Sequence, residues 1–191
     1  MPKFIKTQLD GVVEIQPDKF GDDRGFFSEV FNQKLYADNG INIDFVQDNH
    51  SYSQAVGVLR GLHFQRPPFA QDKLVRVVRG AVFDVAVDIR HGSPTFGKWV
   101  GVELSAKKWN QLLVPKGFAH GFVTLEPDTE FLYKVSAQYA PDHDCSIRFD
   151  DPDIGIEWPV SKDQITTSAK DSAAGHLAKT ETGFVFDGGT N

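Results

Sequence analysis

The stretch Leu74-Val-Arg-Val-Val-Arg-Gly-Ala-Val-Phe-Asp-Val-Ala-Val-Asp-Ile89 carries the clearest structural signal in the chain. Two runs rich in β-branched residues flank Gly80, and β-branched side chains favour strands. We therefore predict strands over residues 74–78 and 81–89, joined at the glycine. Successive side chains in a strand point to opposite faces, so the second strand would turn Asp84 to one face and apolar residues to the other.

The rest of the chain repeats this pattern of short strand-like runs at close, even spacing. Such spacing is typical of a β-sandwich or barrel rather than of a fold that alternates strands and helices. The predicted strands are 12–16, 26–31, 43–48, 56–65, 98–104, 110–114, 120–124 and 129–137. We predict short helices over 33–39 and 168–179, the second because Ser168 and Asp171 fit a capping pattern. With no linker in the sequence, we expect one all-β domain over residues 1–191.

The composition excludes several classes of protein. The net charge of −6 argues against a protein that coats nucleic acid, which would normally be basic. No apolar run reaches the roughly 18 residues that span a bilayer, and the first residues lack the apolar core of a signal peptide. Cys145 is the one cysteine, so no intrachain disulfide can form. We therefore expect a cytoplasmic protein that binds neither nucleic acid nor membrane.

His63 lies in the run Arg60-Gly-Leu-His-Phe-Gln65, which is polar or small where a core strand would be apolar. A histidine titrates near pH ~6.5 and can take up and return a proton at neutral pH. One face of this strand therefore resembles a ligand-binding surface, with His63 as a catalytic base. A structural histidine that is hydrogen-bonded beneath a loop fits the same run, and the local pattern leaves both interpretations open.

Basic residues surround this run in the sequence, and their planar or ammonium heads suit the oxygens of a phosphorylated ligand. They are Arg24, Arg60, Arg66, Lys73, Arg76 and Arg79. Most surface cations are simply solvated, so the position of each matters. Proximity to His63 in sequence favours Arg60 and Lys73, whereas Arg24 is supported only by the turn that contains it.

A second histidine, His120, lies in Pro115-Lys-Gly-Phe-Ala-His-Gly121, where small neighbours would allow a ligand to approach closely. His63 and His120 together suggest a metal site on a β-barrel as an alternative. A tight site needs three or four ligands, and neither histidine belongs to a His-x-His pair. We therefore predict no metal.

Two further side chains have functional and structural interpretations. Tyr133 has a phenol of pKa ~10 that suits proton donation to a carbanion, or it is an amphipathic residue at a sheet edge. Asp171 would orient His63 as carboxylates do in catalytic dyads, or it is an acid in the first turn of a helix. Glycine-rich phosphate loops and the Gly-x-Ser-x-Gly elbow are absent, which argues against kinase, redox and acyl-transfer classes.

Seven segments together resemble one known family, the dTDP-4-dehydrorhamnose 3,5-epimerases, which are cupin-like enzymes acting on sugar nucleotides. They follow the family's order over nearly the whole chain, and each is weak alone. The segments are Asp23–Glu29, Gln47–Ser51, Leu59–Gln65, Lys73–Val77, Pro115–Phe122, Tyr139–Asp144 and Ser168–Asp171.

The resemblance implies a jelly-roll fold, no cofactor, and a dTDP-4-keto-6-deoxyhexose as substrate. It implies that His63 is the base, that Asp171 is paired with it, that Tyr133 is the acid and that Lys73 stabilises an enolate. The residues implied in substrate binding are Arg24, Phe27, Glu29, Gln47, Asn49, Arg60, Lys73, His120, Tyr139, Asp144 and Lys170. The family is dimeric, which implies a pocket shared between subunits around Arg24 and Phe27.

Two departures from the family pattern concern substrate preference rather than the acid and the base. Asp144 stands where the family usually has Glu, and Gln138 stands where aromatic residues are common. Three alternatives to the 3,5-epimerase remain open at this point. They are an epimerase of only C3 or C5, a metal-dependent cupin oxygenase or isomerase, and a non-catalytic module that binds sugar nucleotides.

Overall fold

The computed structural model describes residues 1–188, which form two packed antiparallel β-sheets with a few short helices. One sheet has six strands in the order β1-β2-β10-β7-β12-β5, and the other has five in the order β13-β6-β11-β8-β9. A small hairpin, β3–β4, stands apart from both. This is the all-β, jelly-roll type of sandwich that the sequence predicts.

The strands are short and follow the predicted runs closely in the middle of the chain. Their bounds are β1 Lys3–Lys6, β2 Val13–Gln16, β3 Phe20–Asp22, β4 Gly25–Phe27, β5 Gln47–Ser53, β6 Leu59–Gln65, β7 Lys73–Arg79, β8 Ala81–Asp88, β9 Trp99–Ser105, β10 Gln111–Val114, β11 Phe118–Thr124, β12 Thr129–Val135 and β13 Asp144–Ser146. The helices are α1 Gln33–Asp38 and α2 Ala169–Ser172, with 3₁₀ turns at Pro141–His143, Lys162–Gln164 and Leu177–Lys179.

The two faces of β8 belong to two different hydrophobic cores, as the alternation of its sequence predicts. Val82 and Ala86 point between the sheets, where they join residues of the six-stranded sheet such as Leu112. Val85 and Val87 point to the outer side, where the C-terminal segment covers them. Both faces of the five-stranded sheet are therefore buried, which explains why β8 carries apolar residues on both sides, with Asp84 and Asp88 as buried exceptions on the inner face.

Three predicted elements are wrong. The strand predicted over 26–31 ends at Phe27, because Phe31 instead packs in the core that covers the outer face of the six-stranded sheet. The strand predicted over 43–48 begins only at Gln47, since Ile43 and Phe45 pack in that same core from an irregular segment.

The helix predicted over 168–179 comprises only the four residues of α2, followed by a separate 3₁₀ turn. The capping pattern at its start is correct, because the Ser168 side chain accepts a hydrogen bond from the Asp171 N–H. The helix ends early because Gly175 pairs with Ile147 in a β-bridge. Because Gly175 takes part in this tertiary pairing, the helix does not continue through it.

Candidate active site

A cavity of about 440 Å³ opens between the two sheets, and all four predicted catalytic residues line it. Its lining residues are Ser51, Val58, Leu59, Arg60, His63, Lys73, His120, Phe122, Phe131, Tyr133, Thr166, Thr167, Ser168, Lys170 and Asp171. A smaller depression of about 210 Å³ shares His63, Lys73 and Tyr133 with it. The depression adds Gln47, Asn49, Tyr139 and Asp144 from the predicted set.

His63 is held by a carboxylate from a distant part of the chain. Its Nε2 lies 2.6 Å from Oδ1 of Asp171, in α2. The other oxygen of Asp171 accepts a hydrogen bond from the backbone N–H of Gly61 at 3.3 Å. Burial by itself would raise the pKa of Asp171, but the hydrogen bond from His63, reinforced by those from Gly61 and Ser168, holds the pKa below its ordinary value.

This pairing fixes the tautomer of His63. An ionised carboxylate can only accept hydrogen bonds, so the Nε2 of His63 carries the proton and donates it to Asp171. In the neutral ring the lone pair is then on Nδ1, which is free to act as a base. The His63 side chain is 33% exposed, whereas that of Asp171 is 3% exposed. The base therefore faces the cavity and its partner lies behind it.

Gly61 allows β6 and β11 to approach closely beside His63. Its φ of +130° favours glycine, and a Cβ at this position would lie 2.5 Å from the Cα of Gly121. The register of the two strands shifts at this point, and His63 becomes the direct cross-strand partner of His120. The small residues around both histidines therefore serve to bring the two rings to one site.

His120 forms a second histidine–carboxylate pair, with Asp84 of β8. Its Nε2 lies 2.9 Å and 3.0 Å from the two carboxylate oxygens. Burial disfavours charge, so it lowers the pKa of His120 and raises the pKa of Asp84. His120 is consequently a neutral imidazole at neutral pH. Asp84 was not among the predicted site residues, although a carboxylate inside an otherwise apolar strand is a signal for such a role.

Lys73, at the start of β7, brings a buried cation to the same cavity. Its Nζ donates to the backbone carbonyl of His63 at 3.4 Å. Burial lowers the pKa of this ammonium to about 8, while the carboxylates of Asp144 and Asp84 act in the opposite direction. Lys73 therefore loses its charge at a much lower pH than an exposed lysine does.

Tyr133 belongs to β12, in the sheet opposite His63, and it lines both parts of the cavity. Burial raises the pKa of its phenol, and the nearby charge of Asp144 adds to this effect, whereas Arg60 opposes it. The phenol is therefore protonated at neutral pH. His63 and Tyr133 enclose the cavity from two sides, which is the arrangement that an acid and a base on opposite faces of a substrate require.

Polar residues at the rim of the cavity form a connected network. Asp144 accepts hydrogen bonds from Nζ of Lys170 and from the hydroxyl of Tyr139. The Gln47 side chain accepts from the Tyr139 backbone N–H at 3.1 Å and donates to Asn49 at 2.9 Å. This network joins β5, β13 and α2 around the opening.

Arg60 of β6 also lines the cavity, and its guanidinium donates a hydrogen bond to the backbone carbonyl of Tyr52 at 3.1 Å. The other arginines from the sequence analysis are not among the residues that line the cavity. These are Arg24, Arg66, Arg76 and Arg79.

Three predicted binding residues, in the β3–β4 hairpin and just after it, do not line this cavity. The Arg24 side chain is 89% exposed and pairs with Asp22, Phe27 is exposed, and Glu29 accepts a hydrogen bond from Asn32. A single chain does not bring these residues to His63. The prediction that they complete the pocket of a partner subunit stays a prediction.

Two absences apply to the part of the chain that the structure describes. Within residues 1–188, no cluster of three or more histidine, cysteine, aspartate or glutamate side chains is suited to hold a metal ion. Over the same residues, no helix has the length and apolar character needed to cross a membrane.

Comparisons with known proteins agree with the geometry. The family model of dTDP-4-dehydrorhamnose 3,5-epimerase matches residues 6–179. The chain belongs to this family. It is therefore an epimerase, an enzyme of the isomerase class.

Individual relatives are similar along most of their length. The dTDP-4-dehydrorhamnose 3,5-epimerase of Sinorhizobium fredii is 54% identical, over 96% of this chain and 93% of its own. The enzyme of the same name from Salmonella typhimurium is 56% identical, over 89% of this chain and 92% of its own. The crystal structure of dTDP-6-deoxy-D-glucose-3,5-epimerase from Legionella pneumophila, in complex with dTDP-4-keto-L-rhamnose, has a TM-score of 0.91 at 49% identity, covering 95% of each chain.

Proposed function

We propose that this epimerase inverts C3 and C5 of dTDP-4-dehydro-6-deoxy-D-glucose to give dTDP-4-dehydro-L-rhamnose, a step of dTDP-L-rhamnose synthesis. The observation that carries the proposal is the arrangement of three groups around one cavity. These are His63 on one sheet with its partner Asp171 from α2, Tyr133 on the other sheet, and the buried cation of Lys73. Such an arrangement can remove a proton, stabilise the resulting anion and return a proton from the opposite side.

The substrate's own chemistry explains why no redox cofactor is needed. The ketone at C4 acidifies the protons at C3 and C5, because the carbanion formed at either carbon delocalises onto O4 as an enolate. Both centres can therefore be inverted by proton transfer alone. The task of the protein is to supply a base, an acid and a positive charge near O4.

His63 acts as the base through Nδ1, since Nε2 is committed to Asp171. As the ring takes up a proton it becomes an imidazolium, and the buried carboxylate of Asp171 stabilises the new charge. Lys73 stabilises the enolate oxygen, and preorganised charge of this kind typically lowers a barrier by a few kcal/mol. Tyr133 then delivers a proton from the opposite face, which produces inversion.

The nucleotide part of the substrate lies toward the rim of the cavity. Arg60 and Lys170 offer cations for the diphosphate, and Tyr139 offers an exposed ring on which the base can stack. Gln47, Asn49, His120 and Asp144 supply further polar contacts.

The working enzyme is a homodimer in the cytoplasm. The exposed β3–β4 hairpin of one subunit supplies Arg24 and Phe27 to the pocket of the other, and the segment just after the hairpin supplies Glu29. The high exposure of Arg24 and Phe27 in a single chain supports this assignment.

Turnover of dTDP-4-dehydro-6-deoxy-D-glucose in D₂O, followed by NMR, tests the reaction. We expect deuterium at both C3 and C5. The variant His63→Ala should lose exchange at both carbons. The variant Tyr133→Phe should retain exchange but lose inversion, because His63 can still return a solvent deuteron to the face from which it took the proton.

Tyr52→Phe is the matched control, because Tyr52 is an exposed tyrosine outside the cavity, and it should behave as the unmodified enzyme. Label at only one carbon would identify a mono-epimerase. Exchange that survives in His63→Ala would remove His63 as the base. A protein that binds dTDP but exchanges nothing would be a binding module, and a stoichiometric transition metal in the purified enzyme would contradict the metal-free mechanism.

A further inference from the structure

Two aromatic rings form a continuous apolar wall inside the catalytic cavity. Phe122 of β11 and Phe131 of β12 come from different sheets, and their rings stack with centroids 4.1 Å apart and an interplanar angle of 20°. Both line the cavity, although they are only 5% and 1% exposed. The small accessible part of each residue therefore borders the cavity, where the proposed function places the substrate.

This wall is close to the groups that carry out the chemistry. The Phe131 ring lies 6.0 Å from that of Tyr133 and 6.2 Å from that of His120, while Phe122 is two residues from His120 on the same face of β11. The mechanism gives neither phenylalanine a task.

The substrate has one apolar group that must lie near the reacting atoms. If the proposed function holds, a proton leaves C5, and C6 is attached directly to C5. In a 6-deoxy sugar C6 is a methyl group, whereas in an ordinary hexose it carries a hydroxyl. We infer that the stacked pair of Phe122 and Phe131 binds C6 and makes this enzyme select 6-deoxy sugar nucleotides over their 6-hydroxy counterparts.

The physical basis is the difference between burying a methyl and burying a hydroxymethyl against aromatic rings. A methyl gains contact with the rings and loses no hydrogen bond. A hydroxyl would lose hydrogen bonds to water, which the rings cannot replace. An apolar site discriminates against one added hydroxyl by at most about 100-fold, so we expect a preference of roughly 10- to 100-fold.

The test compares two stable ligands that differ only in the hydroxyl at C6, dTDP-6-deoxyglucose and dTDP-glucose. Neither has a ketone, so isothermal titration calorimetry measures binding without turnover. We expect the unmodified enzyme to bind the 6-deoxy ligand about 10- to 100-fold more tightly. Equal dissociation constants would overturn the inference.

Substitutions then locate the source of the preference. Phe122→Leu should lower the preference several-fold by weakening the binding of the 6-deoxy ligand alone. Phe122→Met should have the same effect with a side chain closer in volume to phenylalanine. Phe118→Leu is the matched control, because Phe118 is a buried ring on the same strand that does not line the cavity. A preference that is unchanged in both Phe122 variants, or that falls equally in Phe118→Leu, would overturn the role of the wall.

Ser51 gives a further check, because it is the cross-strand partner of Phe131 and lines the same cavity. Its hydroxyl is a candidate partner for a hydroxyl at C6. If the wall decides the preference, Ser51→Ala leaves the ratio of the two dissociation constants unchanged. A ratio that rises or falls tenfold in Ser51→Ala would assign the selection to the serine instead.

Deuterium exchange on the 4-keto substrate, measured with the same preparations, separates this inference from the proposed function. Exchange at C3 and C5 without discrimination between the two ligands overturns only the role of the wall. Discrimination without any exchange leaves the wall supported and overturns the proposed reaction.

Discussion

The two histidine–carboxylate pairs of the site lie side by side but differ in how they are built. The first joins His63 on a strand to Asp171 on a short helix 108 residues away. The second joins His120 to Asp84 across two neighbouring strands of one sheet. The imidazole of the first pair is partly exposed to the cavity, whereas that of the second is almost fully buried.

This difference in exposure assigns different work to the two pairs. A base must present its lone pair to the substrate. Of the two histidines, only His63 combines a carboxylate partner with an imidazole that is partly exposed to the cavity. His120 has a lowered pKa because it is buried, so it remains neutral. Its partner Asp84 also acts on Lys73, whose pKa it raises. We therefore expect the first pair to move protons and the second to set the charge of the site.

The largest effect should come from the variant Asp171→Asn. An amide can donate a hydrogen bond to Nε2 of His63 and thereby favour the tautomer whose proton is on Nδ1, which removes the base. The analogous change in a serine protease lowers kcat by about 10⁴-fold, and we expect a loss of ~10³- to 10⁴-fold in kcat/KM. Steady-state kinetics and thermal melting together check this, because a lost base predicts a nearly unchanged Tm. A loss below tenfold would contradict the assignment.

The next effect is a dependence on pH that comes from Lys73. Its pKa of about 8 means that the ammonium loses its proton as the pH rises through 8. The charge near the enolate is present below that pH and absent above it. We expect kcat/KM to fall about tenfold per pH unit above this pKa, a loss of roughly 100-fold by pH 10. A profile that stays flat to pH 10 would show that the charge of Lys73 is dispensable.

The smallest effect, and the one that sharpens the comparison most, should come from Asp84→Asn. The amide oxygen can still accept the hydrogen bond from His120, but the negative charge that raises the pKa of Lys73 is gone. As the pH rises, kcat/KM should therefore begin to fall at a lower pH than in the unmodified enzyme, so that it is several-fold lower at pH 8. The measurement is kcat/KM across pH 6 to 10.

Asp88→Asn is the matched control for Asp84→Asn. Asp88 lies on the same strand, is also fully buried and is held by Arg90, Ser93 and Thr95 outside the cavity. Its replacement should lower the melting temperature without changing the pH at which kcat/KM begins to fall. The coupling to Lys73 would be refuted if kcat/KM of Asp84→Asn began to fall at the same pH as in the unmodified enzyme. It would also be refuted if Asp88→Asn shifted that pH by the same amount.

The family resemblance read from the sequence is confirmed, whereas the roles of individual residues remain predictions. The motif segments predicted the epimerase family, and the family model matches residues 6–179. The structure brings His63, Asp171, Tyr133 and Lys73 to one cavity, which is where such roles require them to be. Asp84 was missed although it interrupts an otherwise apolar strand, because its cross-strand contact with His120 exists only after folding.

The sequence by itself determined the fold class and the two faces of β8. Alternation and β-branching are local properties, and they fix which side chains of a strand share a face. The sequence also determined the cap at Ser168, since capping involves residues only three positions apart.

Only the tertiary structure decided where the elements end and which distant residues meet. The helix after Ser168 is short because Gly175 pairs with Ile147, and the segment before Gln47 is irregular because Ile43 and Phe45 pack in a core. The same folding places Asp171 behind His63 and stacks Phe122 on Phe131. These contacts join residues far apart in the chain, so no local propensity contains them.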